Sequence, residues 1–302
     1  MTEGTLPPPS VAAERFLPAR SRPSSRMTRA GRMLRHRSLG LGTAIAGVVI
    51  LFVLVAPLFS LQNPATQNFA ASLQGPSSQH WFGTDSFGRD VFSRVANGGR
   101  VTIGASIAIV VLGSTVGATL GVIAGYLGGW VGFAIMRLVD LLLSFPGILL
   151  ALAVAAIMGP GLRNGVLAVS IVLVPAYVRV VEGATVQIRH HPYVEAAQIL
   201  GATPMHIIWR HILPNVRSSI VVLTTSWLGI AALWIAALGF LGLGVQPPTP
   251  EWGAIVNEGQ QFATIAWWIS VFPGVFLSLF VVGINLIGDG LRDELDPSVT
   301  SA

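Results

Sequence analysis

The residue types that can do chemistry are few in this chain, and they stand in three groups. Asp85, Arg89, Asp90 and Arg94 form one, Arg137 and Asp140 a second, and His190-His191 with Glu195 a third. None has the spacing of a catalytic centre. Adjacent histidines cannot face one metal from the same side of a helix, as an i, i+4 pair does. Cysteine is absent, which excludes a thiol nucleophile, thiolate metal ligands and a disulfide framework. All 18 basic residues are Arg. A phosphate loop ending in Gly-Lys-Ser/Thr therefore cannot be built, and any ATPase serving this chain must be on another one. No catalytic residue and no metal site are assigned. The charges instead predict ion pairs. Asp90 and Arg94 are four apart and can meet across one helical turn. Asp140 lies one turn from Arg137, which favours an interfacial pair over a proton or ion relay. Glu182, close to Arg179, reads in the same way.

The elements that must carry these groups follow from composition. Of 302 residues, 52% are hydrophobic and 10% are charged, and the mean hydropathy is +0.69. Soluble domains carry about 25% charged residues, so lipid must be the solvent for much of this chain. The fold class is all-α integral membrane. A helix needs about 20 apolar residues to cross a bilayer, and six segments qualify: 39–59, 101–125, 138–158, 166–184, 217–241 and 267–288. The first is read as an uncleaved anchor, because its apolar run exceeds a signal-peptide core and 38 residues precede it.

Net charge is +5, but eight of the Arg lie between Arg15 and Arg37, directly before the first apolar run. That position marks membrane topology better than nucleic-acid binding. With this tail inside, the inner side also receives Arg137, Arg179, Arg189, Arg210, Arg217 and Arg292, making 14 Arg. The outer side receives 4: Arg89, Arg94, Arg100 and Arg163. Both termini are thus expected in the cytoplasm. The tail, residues 1–38, is rich in Pro, Ser and Arg and has little to bury, so disorder is expected. Gly104, Gly113, Gly117, Gly121 and Gly125 place small residues along one face of the second span, as helix packing requires. Trp130, Trp227, Trp267 and Trp268 stand near span ends, where interfacial anchors sit.

Three connections are long enough to have work of their own. The outer segment 60–100 ends in a short amphipathic stretch, with Val91, Phe92 and Val95 among the charges, expected at the membrane surface. The inner segment 185–216 reads as two short helices with an elbow. Pro192 suits a first helical turn, Gly201 a stop, and Thr203-Pro204 a restart that runs to about Leu213, before Pro214-Asn215. Most loops need only about 4–6 residues, so this segment exceeds a plain connector. The outer segment 242–266, with Pro247, Pro248, Pro250, Glu251 and Glu258, fits either a substrate mouth or a structural cap.

The inner segment carries a resemblance. Glu195-Ala196-Ala197, Gly201 and Leu213-Pro214-Asn215 resemble the signature of ABC importer permeases, where this segment is a coupling helix seated in a groove of the ATPase subunit. Gly83-Thr84-Asp85, Gly88-Arg89-Asp90 and Ser93-Arg94 resemble the stretch before the second span in the C-type permeases of dipeptide and oligopeptide importers. Met136-Arg137-Leu138-Val139-Asp140 with Phe145-Pro146, Phe240-Leu241-Gly242-Leu243-Gly244 with Trp252-Gly253, and Gly288-Asp289-Gly290-Leu291-Arg292-Asp293 with Asp296-Pro297 extend the likeness over about 39–297. The resemblance implies a type I ABC importer permease fold, with 101–297 as the permease domain. It also implies a second homologous permease, two ATPase subunits that bind ATP and Mg, an extracytoplasmic binding protein, and a bacterial plasma-membrane location. This chain itself would hold no cofactor. Asp85, Arg89, Asp90 and Arg94 would seat the binding protein or brace the outer gate. Importers of nickel and of glutathione share these signatures, and a secondary transporter or channel is the second reading. One departure is Ile235 before Ala236-Ala237-Leu238, where many relatives carry Glu.

The Arg asymmetry makes a direct prediction. Single cysteines placed at Ser77 and Gln198 in this cysteine-free background should respond differently to an impermeant thiol reagent applied to whole cells. Labelling is expected at the Ser77 site only, and labelling at the Gln198 site instead would reverse the orientation.

Overall fold

A computed structural model of the chain describes residues 37–59 and 62–295. All but the last two residues of the Arg-rich tail, and Asp296-Pro297, lie outside the described residues. The first helix, α1, spans Arg37–Phe59. Then follow α2 (Val91–Leu127), α3 (Gly129–Leu143), α4 (Gly147–Met158) and α5 (Leu162–Arg189). A short helix, α6 (Pro192–Ile199), leads into α7 (Pro204–Phe240). The chain closes with α8 (Trp252–Gln260) and α9 (Trp268–Leu295). Helices α1, α2, α5, α7 and α9 are each long and apolar enough to cross a membrane, and the bent pair α3–α4 passes the same test together, as a broken span or a re-entrant loop.

Three boundaries differ from the sequence reading, each for a local reason. The second span begins ten residues earlier than expected, because Asp90 caps it: its carboxylate accepts the Ser93 N–H at 2.8 Å. The expected surface helix is thus the first turns of α2, with Val91 and Val95 wholly buried. The expected third span is broken, with α3 and α4 meeting at 93°. Pro146 has no N–H to donate and steers Phe145 away from helical geometry, so one apolar run becomes two helices. The second inner helix does not stop near Leu213. It runs on through a π-helical turn at Ile208–Ile212, where the Leu213 N–H reaches the Ile208 carbonyl. This wider turn stands directly before Pro214, which has no N–H to give.

Helix α2 is the spine, and α5 lies along it. A Cβ built on Gly113, Gly117, Gly121 or Gly125 would come within 3.1, 2.5, 2.8 or 2.8 Å of Leu173, Tyr177, Val181 or Thr185 respectively. Both sets recur every four residues, so each glycine receives one side chain of α5. The fifth glycine of the sequence stripe, Gly104, has nothing within 4 Å and plays no part. Helix α1 lies on α9 in the same manner. A Cβ on Gly283 would lie 2.7 Å from Ala46 N, and one on Gly290 would lie 2.7 Å from Leu39 Cβ.

Pro57 creates a debt in α1 that α2 settles. A proline cannot donate to the carbonyl four residues back, here Val53, and its ring displaces the neighbouring one. Arg100 donates Nε to Val53 O at 3.0 Å and Nη2 to Leu54 O at 2.9 Å. Phe52 of α1 also stacks on Phe276 of α9 at 4.1 Å, and Phe82 stacks on Phe272 at 4.0 Å. Trp268 is not an interfacial anchor. It is buried, and its Nε1 donates to Thr84 O at 3.1 Å. Trp130 and Trp267 are exposed.

Gly117→Leu should force α2 and α5 apart, with an overpacking cost of about 1–3 kcal/mol. Gly104→Ala should leave stability unchanged or slightly higher. Thermal unfolding of the detergent-solubilised chain, followed by circular dichroism, checks the pair. Equal melting temperatures for the two variants would remove the stripe from the fold's foundations.

Candidate functional site

The polar chemistry gathers at the two ends of the bundle. At one end, the segment 62–90 folds back on the start of α2 through a tight turn. Thr84 and Asp90 bridge in antiparallel fashion, and Asp85 N–H donates to Arg89 O at 3.0 Å. Gly88 sits at φ +68° inside this turn, and a Cβ there would lie 1.8 Å from Asn68 O, so only glycine fits.

The turn delivers Asp85 to two arginines. Asp85 Oδ2 accepts Arg89 Nε at 2.6 Å and Arg94 Nη1 at 2.5 Å. Its Oδ1 accepts the Phe87 and Arg89 backbone N–H groups at 2.8 and 2.9 Å. Glu258, from α8, completes the square. Its Oε2 accepts Arg89 Nη2 and Arg94 Nη1, both at 2.6 Å, and its Oε1 accepts Arg94 Nη2 at 3.0 Å. Two cations and two anions balance, which is the condition for burying charge. Arg94 and Asp85 are each 1% exposed, so neither side chain reaches outward. The expected Asp90–Arg94 pair does not form. Asp90 is committed to its helix cap and to His80 Nδ1 at 3.0 Å.

Glu258 is the member that sequence reading left unassigned. Two buried arginines need two carboxylates, and Asp90 is taken by its cap, so the count of acids on this side was the available signal. Glu251 is a second such acid. It is fully buried at the N-terminus of α8, where its carboxyl accepts the Gly253 and Ala254 N–H groups at 3.0 and 2.9 Å. Thr102 of α2 lies 2.8 Å from the same carboxyl. The segment 242–266 is therefore a cap over the helix ends. Burial pushes the Glu251 carboxyl above its ordinary value, and the hydrogen bonds from Gly253, Ala254 and Thr102 act against this without cancelling it.

At the other end, α6 and the start of α7 form the elbow. Gly201 has φ +84°, the left-handed conformation expected of a helix stop. Thr203 caps α7 by accepting the His206 N–H. Val194, Ile207, Ile212 and Val216 pack with Val122 of α2 and Val181 of α5. Asn215 ties the two arms, donating to Tyr193 Oη at 3.3 Å and to His211 O at 2.5 Å. Glu195 and Ala196 are exposed and Ala197 is half-buried. Beyond them, Ile199 and Leu200 are 86% and 87% exposed.

The third group is rearranged. Asp140 pairs with Arg179 of α5 rather than with Arg137, and Arg137 lies over the Phe133 ring at 4.9 Å. Three residues, Arg137 to Asp140, cover most of a helical turn, but α3 runs beside α5 and offers the nearer cation. Ile235, the departure noted above, is 1% exposed and packs within 3.0 Å of a Cβ built on Gly165, so it fills the core.

Long apolar helices around the tightly packed α2–α5 pair define an all-helical membrane-spanning bundle. The profile of the family "Binding-protein-dependent transport system inner membrane component" matches residues 117–301. The chain is 48% identical to the glutathione transport system permease protein GsiD of Escherichia coli O157:H7, over 74% of each chain. It is 42% identical to the dipeptide transport system permease protein DppC of Alkalihalophilus pseudofirmus, over 85% of this chain and 86% of the relative. Among solved structures it is similar in fold to the inward-facing MetNI methionine ABC transporter. There the TM-score is 0.53 at 22% identity, over 67% of this chain and 96% of that one. The chain belongs to the binding-protein-dependent transport system inner membrane component family, and is an ABC importer permease subunit rather than an enzyme.

Glu251 makes the pH prediction at this end. Its folded-state value is raised, so the neutral carboxyl favours the fold. That stabilisation is complete below the ordinary carboxyl range and is lost as pH rises through the raised value. The melting temperature of the solubilised protein should fall across that window, and Glu251→Gln should flatten the fall at the cost of one cap bond, about 1 kcal/mol. The same pH slope in both proteins would show that Glu251 carries no such linkage.

Proposed function

We propose that this chain is one of two homologous permeases in an ATP-driven importer of short peptides, embedded in the bacterial plasma membrane with both termini cytoplasmic. Two ATPase subunits bind ATP and Mg, and a binding protein delivers substrate from outside. Peptide is the chemistry shared by the dipeptide and glutathione relatives.

The observation that carries the coupling role is the elbow. Ile199 and Leu200 stand almost fully exposed beside a tightly packed apolar cluster. Large apolar side chains on a polar end of the molecule need a partner surface. The cluster fixes the elbow to α2 and α5, so a push on its tip moves those spans together. Glu195, in the first turn of α6, suits the helix dipole and offers a carboxylate to a basic partner residue.

The opposite end supports a bracing role for Asp85, Arg89, Asp90 and Arg94. Their side chains are buried against one another and against α8 and His80. Contact with the binding protein would fall to the exposed Phe69, Trp81 and Phe87 around them.

Gly201→Leu and Glu195→Arg test the coupling role. No atom lies within 4 Å of a Cβ at Gly201, so the leucine would protrude from the elbow and strain the backbone by on the order of 1 kcal/mol. That is too little to unfold the bundle. Both variants should insert normally yet lose ATPase subunits in a pull-down and lose binding-protein-stimulated hydrolysis in liposomes. Wild-type retention, hydrolysis and uptake in both would remove the elbow from the coupling route.

A further inference from the structure

An open groove with a volume of about 470 Å³ lies between α5, α7 and α9 near the elbow end. Its volume falls within the roughly 300–1,000 Å³ of small-ligand sites. Ser218, Ser219 and Ser226 of α7 line it, with Val180 and Leu223 as apolar wall and Arg292 of α9 as its one charged group. Ser218, Val222 and Ser226 recur every four residues, so α7 presents one continuous face to the groove. The polar groups are not used up by the fold. Ser226 Oγ donates to Val222 O at 3.1 Å and Ser218 Oγ to Asn215 O at 3.4 Å, both within α7. A hydroxyl whose proton is taken by its own helix turns its lone pairs outward as acceptors. Arg292 is exposed near the end of α9, and no ion pair joins it to Asp289 or Asp293, its neighbours there, so its guanidinium is free to meet a ligand at the mouth of the groove.

A cation near a helix end with acceptors along an adjoining face is a pattern with direction. The guanidinium takes a carboxylate in a two-pronged contact. The serine hydroxyls, spread over about two turns of α7, take N–H donors. The apolar wall takes side chains by shape alone, without selecting among them.

We propose that this groove is a way-station for the transported peptide, in which Arg292 holds the free C-terminal carboxylate while Ser218, Ser219 and Ser226 accept its backbone N–H or ammonium groups. This rests on the short-peptide reading above. A free carboxylate beside N–H donors is common to α-linked dipeptides and to other short peptides, so the site recognises the terminus and not the sequence. Anionic lipid headgroups offer a competing anion, which the test separates.

The test uses the full transporter complex in nanodiscs and exploits the absence of cysteine from this chain. Ser226→Cys, with Ser219→Cys as a second reporter, is modified by a methanethiosulfonate reagent. A dipeptide with a free carboxylate should slow modification, and the same dipeptide as its C-terminal amide should not. Adding Arg292→Gln should raise the protecting concentration roughly tenfold or more, the scale of one lost hydrogen bond to a charged group, and Arg292→Lys should restore part of it. Equal protection by acid and amide, or protection indifferent to Arg292, overturns the site. So does protection that follows phosphatidylglycerol content and not peptide. Uptake of the same dipeptide by the unmodified complex is read alongside. Its absence would sink the peptide reading itself, whereas uptake without Arg292-dependent protection sinks this site alone.

Discussion

The close approach of α2 and α5 is the constraint on which the rest depends. In lipid there is little hydrophobic force to press two helices together, so association rests on backbone proximity and packing. Four glycines on α2 supply that proximity over more than three turns, and Leu173, Tyr177, Val181 and Thr185 fill the space they leave. Every other element is placed relative to this pair. The elbow cluster packs on Val122 and Val181, one from each helix. The buried charge square includes Arg94, three residues into α2. A shift of one residue along the α2–α5 seam would move both ends of the molecule at once.

The two ends are made rigid by opposite means. The elbow is held by apolar side chains, with Asn215 as its polar tie. The other end is held by charge. Three buried ions and the half-buried Glu258 cost desolvation that a hydrophobic cluster would not, and such groups are weak sources of net stability. What they supply is register. Asp85 on a loop, Arg89 and Arg94 around the start of α2, and Glu258 on α8 can satisfy one another in one arrangement only, and removing any one leaves an unbalanced charge. Trp252 and Trp268 reinforce the same geometry by donating to Val95 O and Thr84 O.

Much of this was legible from residue types. The apolar runs marked where the five long apolar helices lie, since hydrophobic length is a one-dimensional property. The glycine spacing named its own packing face, and Gly201 and Thr203 marked a stop and a start through local backbone chemistry. What failed was partnership across sequence. Asp140 meets Arg179 because α3 and α5 are adjacent, which spacing along one helix cannot reveal. Asp90 looked like a partner for Arg94 but was claimed by the cap of its own helix. Arg100, counted as an outer charge, answers the carbonyls freed by Pro57 some forty-odd residues away. Phe145-Pro146 was visible, but the hydropathy on either side hid the bend it makes.

These failures share a cause that bears on function. A charged side chain in a lipid-solvated protein seeks a partner wherever the fold supplies one, since the cost of remaining alone is high. Most charges in the described bundle have found one: Arg89, Arg94 and Arg179 in ion pairs, Arg100 on carbonyls, Arg137 on an aromatic face. Arg163, Arg210, Arg217 and Arg292 have no ion pair among the described residues, but all four are exposed, so water bears that cost. Of these, Arg292 lines a space walled by hydroxyls and aliphatic groups. An anion carrying its own donors would find there both a guanidinium and hydroxyl acceptors, and that complementarity is what the proposed site rests on.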